Sequence, residues 1–197
     1  MDRRWILAIV AIVAVLGTAS FFGYRYWWGV KFVPEEFVSA RREGALVAGK
    51  IVFLVHQSLA GLEQVGGLDE LVKYSPAVDL TLKELERNEK ARQEAILLSG
   101  HLGVMAAFLP QIKPSSARSL ATEAIGHEVN LVNHLITFHD LLNRLFLLLR
   151  DKFTGRVKDS DRGVKELLAR LNEEIKTINN LNLRFESLME DFDGIYQ

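Results

Sequence analysis

Residues 123–140 read EAIGHEVNLVNHLITFHD and hold three of the chain's five histidines. Imidazoles and carboxylates at helical spacing are what metal and haem centres in helical bundles are built from. They are also what a bundle uses for a hydrogen-bonded core. Glu123 and His127 stand four apart, hence on one helix face. His127 and His134 stand seven apart, about 10.5 Å along a helix, which is too far to share one ion. A metal would have to borrow ligands from other helices. Counting residues along antiparallel helices puts Glu43 and His101 at the height of Glu123 and His127. Glu43, His101, Glu123 and His127 are therefore the candidate metal cluster, two imidazoles and two carboxylates on three helices. His56 and His139 fall at another shared height, on helices expected to lie diagonally opposite.

The pattern departs from established metal chemistry. Di-iron bundles carry paired Glu-x-x-His motifs, whereas Glu123 precedes His127 by four. GHEVN is not the start of a zinc-protease helix, because Leu131 stands where the second histidine would be. The absence of cysteine excludes thiol catalysis, disulfides, iron–sulfur clusters and Cys-x-x-Cys-His haem attachment. The glycines of GVKELL and GGLDEL read as turn glycines, not as a phosphate loop, and no Ser–His–acid set is visible. His139–Asp140 reads as a core residue beside a surface residue. The expectation is a core that satisfies its histidines internally, with no cofactor and no enzyme activity. Several half-buried imidazoles would also make such a core pH-sensitive.

The elements that carry these side chains are helices. Turn signals at Pro34, QVGGLDE, Ser75–Pro76, LPQIKPSS and FTGRVKDSDRG cut the chain into helices over 34–66, 77–109, 115–153 and 160–193. Each would be roughly 50 Å long, the third somewhat longer. In the third helix Leu120, Ala124, His127, Leu131, His134, Phe138, Leu141, Leu145 and Leu148 alternate four and three apart. In the fourth, Val164, Leu168, Leu171, Ile175, Ile178, Asn182, Phe185, Met189 and Phe192 do the same. This is the seam of left-handed helix packing. Matched lengths and short turns predict an all-α, antiparallel up-down four-helix bundle with long coiled-coil-like helices over 34–193. Gly44, Ala45, Ala48 and Gly49 would let a neighbour approach the first helix closely. ELERNEKARQE (84–94) is almost wholly polar and predicts the most exposed wall, or local fraying. A second apolar stripe on the third helix (Ala121, Ile125, Val132, Leu135, Leu142, Phe146) exceeds one seam. It would fill a wide core or dock another chain.

Ahead of the bundle, Trp5–Tyr24 is twenty residues without a charge, about 30 Å as a helix, the thickness of a hydrocarbon layer. Arg3 and Arg4 precede it in a tail of residues 1–4. Trp5 marks one edge, and Tyr24, Tyr26, Trp27 and Trp28 form an aromatic collar in the linker 25–33. The run continues through Phe21 and Phe22, which favours an uncleaved signal-anchor over a cleaved signal peptide. The reading is a single-pass protein of the cell membrane, its contact with the lipid bilayer made through residues 5–24. The short arginine-bearing tail is expected inside and the bundle outside the cytoplasm. Segment 44–62 carries Lys50 and His56, and segment 131–149 carries Asp140 and Arg144, so both read as bundle helices and not as further spans.

Of 197 residues, 49% are apolar; 24 basic and 25 acidic residues leave a net charge of −1. That balance offers no basic face to nucleic acid. The functional expectation is a non-catalytic bundle at the membrane surface, a protein-interaction or self-assembly module with a protein partner or a homo-oligomer. The alternatives are a sensory or ligand-binding bundle working through a signalling partner, and a metal- or haem-binding bundle.

Overall fold

A computed structural model of the chain describes residues 33–72, 74–157 and 160–197. The apolar run Trp5–Tyr24 and the collar residues Tyr24, Tyr26, Trp27 and Trp28 lie outside the described residues. Four long helices account for nearly all of the rest: α1 (Glu35–Glu70), α2 (Tyr74–Phe108), α3 (Ser115–Phe153) and α4 (Asp161–Gly194). A 3-10 turn, Leu109–Gln111, follows α2, and no strand occurs among the described residues.

Local chemistry explains most boundaries. Pro34 precedes α1 with φ −55° and ψ 141°, and Glu35 and Glu36 put negative charge at the positive end of the helix dipole. The expected break at Gly66 and Gly67 does not occur: α1 runs through both to Glu70. Each glycine weakens a helix by about 1 kcal/mol relative to alanine, but Val65 is buried and Leu68 packs against the core on either side of the pair. Likewise α2 begins at Tyr74 with Pro76 inside its first turn, where a missing N–H is no loss because those donors have no partner within the helix.

The helices pack in chain order, α1 on α2, α2 on α3 and α3 on α4. The ring closes at the base of the bundle. There Phe37 of α1 and Phe192 of α4 lie 5.9 Å apart between ring centroids. Arg41 grips Asp193 with two bonds of 2.7 and 2.8 Å. At the opposite end Lys152 of α3 reaches Asp69 of α1 at 2.7 Å, and Tyr74 stacks on Phe153. The alternation of these contacts gives the antiparallel up-down order.

Of the two uses the sequence leaves open for the second apolar stripe of α3, filling a wide core is the one found, while the expectation for the polar stretch 84–94 changes. The second apolar stripe of α3 docks nothing outside the bundle, because Ala121, Ile125, Val132, Leu135, Leu142 and Phe146 are all buried. They fill a core two seams wide, which makes α3 the most deeply embedded helix. The polar stretch 84–94 is neither frayed nor wholly exposed. It is continuous helix, and it turns Glu84, Asn88 and Ala91 inward.

The turns at the far end carry opposite backbone chemistry. After α3, Gly155 has φ +71°; its N–H bonds Lys152 O and that of Arg156 bonds Asp151 O, the paired bonds of a glycine-terminated helix. After α1, Val72 adopts φ 57°, a region a β-branched residue occupies only under strain. Gly155→Ala is expected to lower stability by roughly 1–2 kcal/mol and Val72→Gly to raise it by about 1 kcal/mol. Urea unfolding of the two variants checks both; shifts of the same sign would contradict these backbone assignments.

Candidate functional site

The histidine–carboxylate residues come together as pairs. His101 Nδ1 lies 3.6 Å from Glu43 Oε2 across α1 and α2, and His127 Nε2 lies 3.9 Å from Glu123 Oε1 within α3. Among the described residues no three histidine or acidic side chains gather where a metal ion could be held, so the two pairs do not form one ligand set. His56 points to solvent. His134 Nδ1 meets Glu174 Oε2 at 2.7 Å across α3 and α4, a pair the residue count did not flag because its height lies outside the candidate cluster.

The most constrained histidine is His139. It is fully buried, and Asn88 of α2 holds it twice. Asn88 Nδ2 donates to the backbone oxygen of His139 at 2.7 Å, and Asn88 Oδ1 lies 2.7 Å from His139 Nδ1. A carbonyl oxygen only accepts, so the amide nitrogen must face it and the amide oxygen must face the ring. Nδ1 therefore carries the proton and donates it to Oδ1. The imidazole is neutral, and burial holds its pKa down at about 4, with the Asp140 charge opposing. Asp140 itself is exposed on the next position and takes Arg92 at 3.2 Å.

One turn away on α2, the buried Glu84 lies directly on Gly61 of α1, where a methyl group would collide with its carboxyl. Arg87 binds Glu84 Oε1 and also donates to Gln57 O at 3.1 Å. Burial raises the Glu84 pKa, while Arg87 and the Ser58 hydroxyl pull it back. Glu84 and Asn88 were legible in the sequence only as members of a polar run. Their place in the four–three alternation of the buried positions Ala77, Thr81, Glu84, Asn88, Ala91 and Ala95 is the signal that marks them as inward.

A second polar layer lies toward the base. Glu128 of α3 is buried, and its Oε2 has no hydrogen-bond partner among the described residues. Asn182 of α4, also buried, donates to Glu186 Oε1 at 3.1 Å. Burial first, and the Glu186 charge second, push the Glu128 pKa up to about 7.

The outer walls differ in character. From Ala95 to Ile112 the sequence has no acid, lysine or arginine, and on α2 this stretch exposes Ile96, Leu97 (56% exposed) and Val104, with Gly100, Gly103 and Ala107 between them. On α1, Leu46 (66%) and Phe53 (61%) are also exposed, among Arg42, Glu43, Lys50 and His56. The outward positions of α3 and α4 instead carry Asn133, Asp140, Arg144, Lys165, Arg170 and Glu173, with Val129 and Leu183 as scattered apolar exceptions. Among the described residues α1 is also the one helix long and apolar enough to cross a membrane by length and composition. Phe37, Val47, Ile51 and Val55 of that helix are buried in the bundle.

No family model, no curated protein and no solved structure matches this chain. The site has to be judged on its own chemistry.

The two buried groups give opposite pH dependences. Glu128 titrates at about 7 when folded against an ordinary 4.5, so the fold retains a proton that the unfolded chain releases. Stability falls as pH rises from 4.5 to 7, by on the order of 3 kcal/mol. His139 titrates at about 4 against 6.5, so the core refuses a proton that the unfolded chain accepts. Stability from this group falls, by a similar order, as pH drops from 6.5 to 4. Between 4.5 and 6.5 the two slopes oppose each other. Glu128→Gln is expected to leave the His139 slope alone, so that the variant gains on the wild type as pH rises and exceeds it above pH 7. Urea titrations at pH 5, 6, 7 and 8 test this, and a difference between the two proteins that is constant with pH would refute it.

Proposed function

We propose that the chain is a non-catalytic helical-bundle protein held at a membrane by Trp5–Tyr24, working as a protein-interaction or self-assembly module. The observation that carries this reading is the asymmetry of the bundle. Two walls are solvated by charge, while the wall built by α1 and the second half of α2 exposes Leu46, Phe53, Ile96, Leu97 and Val104. Apolar surface of that kind, gathered on one side, is characteristic of a face that another molecule covers.

The sequence ahead of α1 supports the membrane part. Twenty uncharged residues with tryptophan at one edge and an aromatic collar at the other have the length and dressing of a bilayer span. They join the bundle at its base, where α1 starts and α2 ends. In this reading the apolar half of α2 is held close to the membrane surface, and the tail with Arg3 and Arg4 stays inside while the bundle lies outside the cytoplasm. The polar layers suit a structural role: Glu84 and His139 are buried between neighbouring helices.

The full-length chain is expected to stay in the membrane fraction through alkaline carbonate washing and to be released by detergent. Because the chain has no cysteine, Arg170→Cys provides a single exposed thiol for sidedness. A membrane-impermeant maleimide is expected to label it in intact cells. Release of the protein by carbonate would refute the anchor, and labelling only after lysis would reverse the orientation.

A further inference from the structure

The layer around Glu128 sets two carboxyl groups against each other across α3 and α4. Glu128 is 7% exposed, and its Oε2 is shielded from solvent without a hydrogen-bond partner among the described residues. On α4 the buried Asn182 holds Glu186 Oε1 at 3.1 Å. The His134–Glu174 pair sets the register of these two antiparallel helices. Six residues from His134 toward the base stands Glu128, and six from Glu174 in the same direction stands residue 180. Asn182 follows two residues later and Glu186 a turn beyond it. Side chains on a helix lean toward its N-terminus. Glu128 therefore leans toward the base and Glu186 away from it, which narrows the roughly 9 Å between their positions along the axis. Asn182 lies between them in height, and the charge of Glu186 acts on Glu128. The other charged groups at this height are turned elsewhere. On α1, Arg41 grips Asp193, Glu43 faces His101 of α2, and Arg42 is exposed. Apart from that histidine, α2 carries no acid, lysine or arginine from Ala95 onward. On α3, Glu123 and His127 face each other at 3.9 Å, and on α4 Arg184 and Glu190 are exposed.

We infer that Glu128 and Glu186 form one proton-binding site that clasps α3 to the lower half of α4. The proton resides on Glu128 Oε2 and is donated to the Glu186 carboxylate, while Glu186 Oε1 keeps the Asn182 amide. The shielded oxygen thereby gains a partner, and the layer holds one negative charge instead of two. Without the proton both groups only accept, and they repel each other where water screens them little. Loss of the proton therefore loosens this layer in particular, letting α4 from Ile178 to Met189 part from α3. The sign of the effect follows from linkage. The closed layer keeps a proton that the opened layer releases, so closure weakens as pH rises and levels off once the closed form has also lost it, near neutrality. The His139 layer runs the opposite way, because it excludes a proton. Alkali thus loosens the base of the bundle and acid the half above it. The site goes beyond the anchored reading and does not depend on where the chain is held.

Amide hydrogen exchange of the full-length chain in detergent, corrected for the intrinsic effect of pH, reads this opening directly. Peptides covering 178–189 are expected to open about fiftyfold more often at pH 8 than at pH 5, with most of the rise complete by pH 7. Peptides around Asn88 and His139 are expected not to follow. Glu128→Gln is expected to abolish the rise. Glu186→Gln is the discriminating variant: its amide can donate to an ionised Glu128, so the rise should shrink below tenfold. The infrared band of a protonated carboxyl, expected at pH 6 in the wild type and absent from Glu128→Gln, should also be lost at pH 6 in Glu186→Gln. Circular dichroism at pH 5 confirms that each variant folds. A rise and an infrared band unchanged in Glu186→Gln would overturn the shared site in favour of a solitary buried acid. Equal opening at both pH values in the wild type would overturn it outright. Protection restored at pH 8 by added calcium or sodium chloride, with choline chloride inactive, would overturn it in favour of a metal cation between the two carboxylates.

Discussion

Asn88 exchanges hydrogen bonds with the ring Nδ1 and the backbone oxygen of His139 in a space closed to water, leaving the ring Nε2 without a hydrogen-bond partner among the described residues, and the register of the bundle depends on that exchange. Leucine seams alone specify register weakly, because sliding one helix by a heptad puts leucine against leucine again. Sliding α2 against α3 here would separate Asn88 from both the ring and the backbone oxygen of His139. It would leave three buried polar groups without partners, each at roughly 1–3 kcal/mol. The arrangement also fixes the proton on Nδ1 and keeps the ring neutral. Glu84 adds a second restraint one turn away, since its carboxyl occupies the space a side chain at residue 61 would fill, and Gly61 leaves that space open.

With α2 fixed against α3, the remaining helices are set by their ends. Short turns carry α1 into α2 and α3 into α4, and charge pairs finish the alignment: Arg41 with Asp193 at the base, Lys152 with Asp69 at the far end. Both pairs are partly shielded from solvent, which lifts them above the small contribution of open surface pairs. Lys152 also reaches Asp161, and hydrogen bonding to Asp69 raises its pKa. The Glu128 layer is of another kind. It carries two carboxyl groups where the His139 layer carries an amide and a neutral ring, so protons stabilise one half of the core and destabilise the other.

The sequence made the architecture legible and the polar interior much less so. Helix limits came from prolines and caps, whose backbone effects are local. They failed at Gly66 and Gly67, where Val65 and Leu68 pack firmly enough on the core to override two weak helix formers. The α4 seam was readable because its apolar residues keep their period from Leu171 to Phe192, with Asn182 as the single polar interruption. Glu84 and Asn88 were hidden because a charged or amide residue at an inward position looks the same as one at an outward position until its partner is known. Those partners, Arg87 with Gln57 and His139, lie on the same helix or on helices 30 to 51 residues away. The pairing of Glu43 with His101 was within reach of a height count. That count carries no rotation about the helix axis, and so it could not tell two separate pairs from one four-residue cluster.

Rotation about the axis is also what separates the glycines of this chain into those with a reason inside the bundle and those without. Gly61 is required by the carboxyl lying on it, Gly155 by its positive φ, and Gly44 packs with Leu98 at 3.4 Å from where a Cβ would stand. Gly100 and Gly103 have helical backbone, open surroundings and a position well inside α2, where glycine weakens a helix by about 1 kcal/mol relative to alanine. They sit in the longest stretch of α2 without a formal charge, and Gly126 of α3 stands in equally open surroundings. A lipid surface gains nothing from a missing side chain, and neither does water. A helix approaching from outside does, because the distance between two helix axes is set by the side chains between them. The apolar wall and its bare backbone are two separate properties of one face, and a packed helix would use each of them.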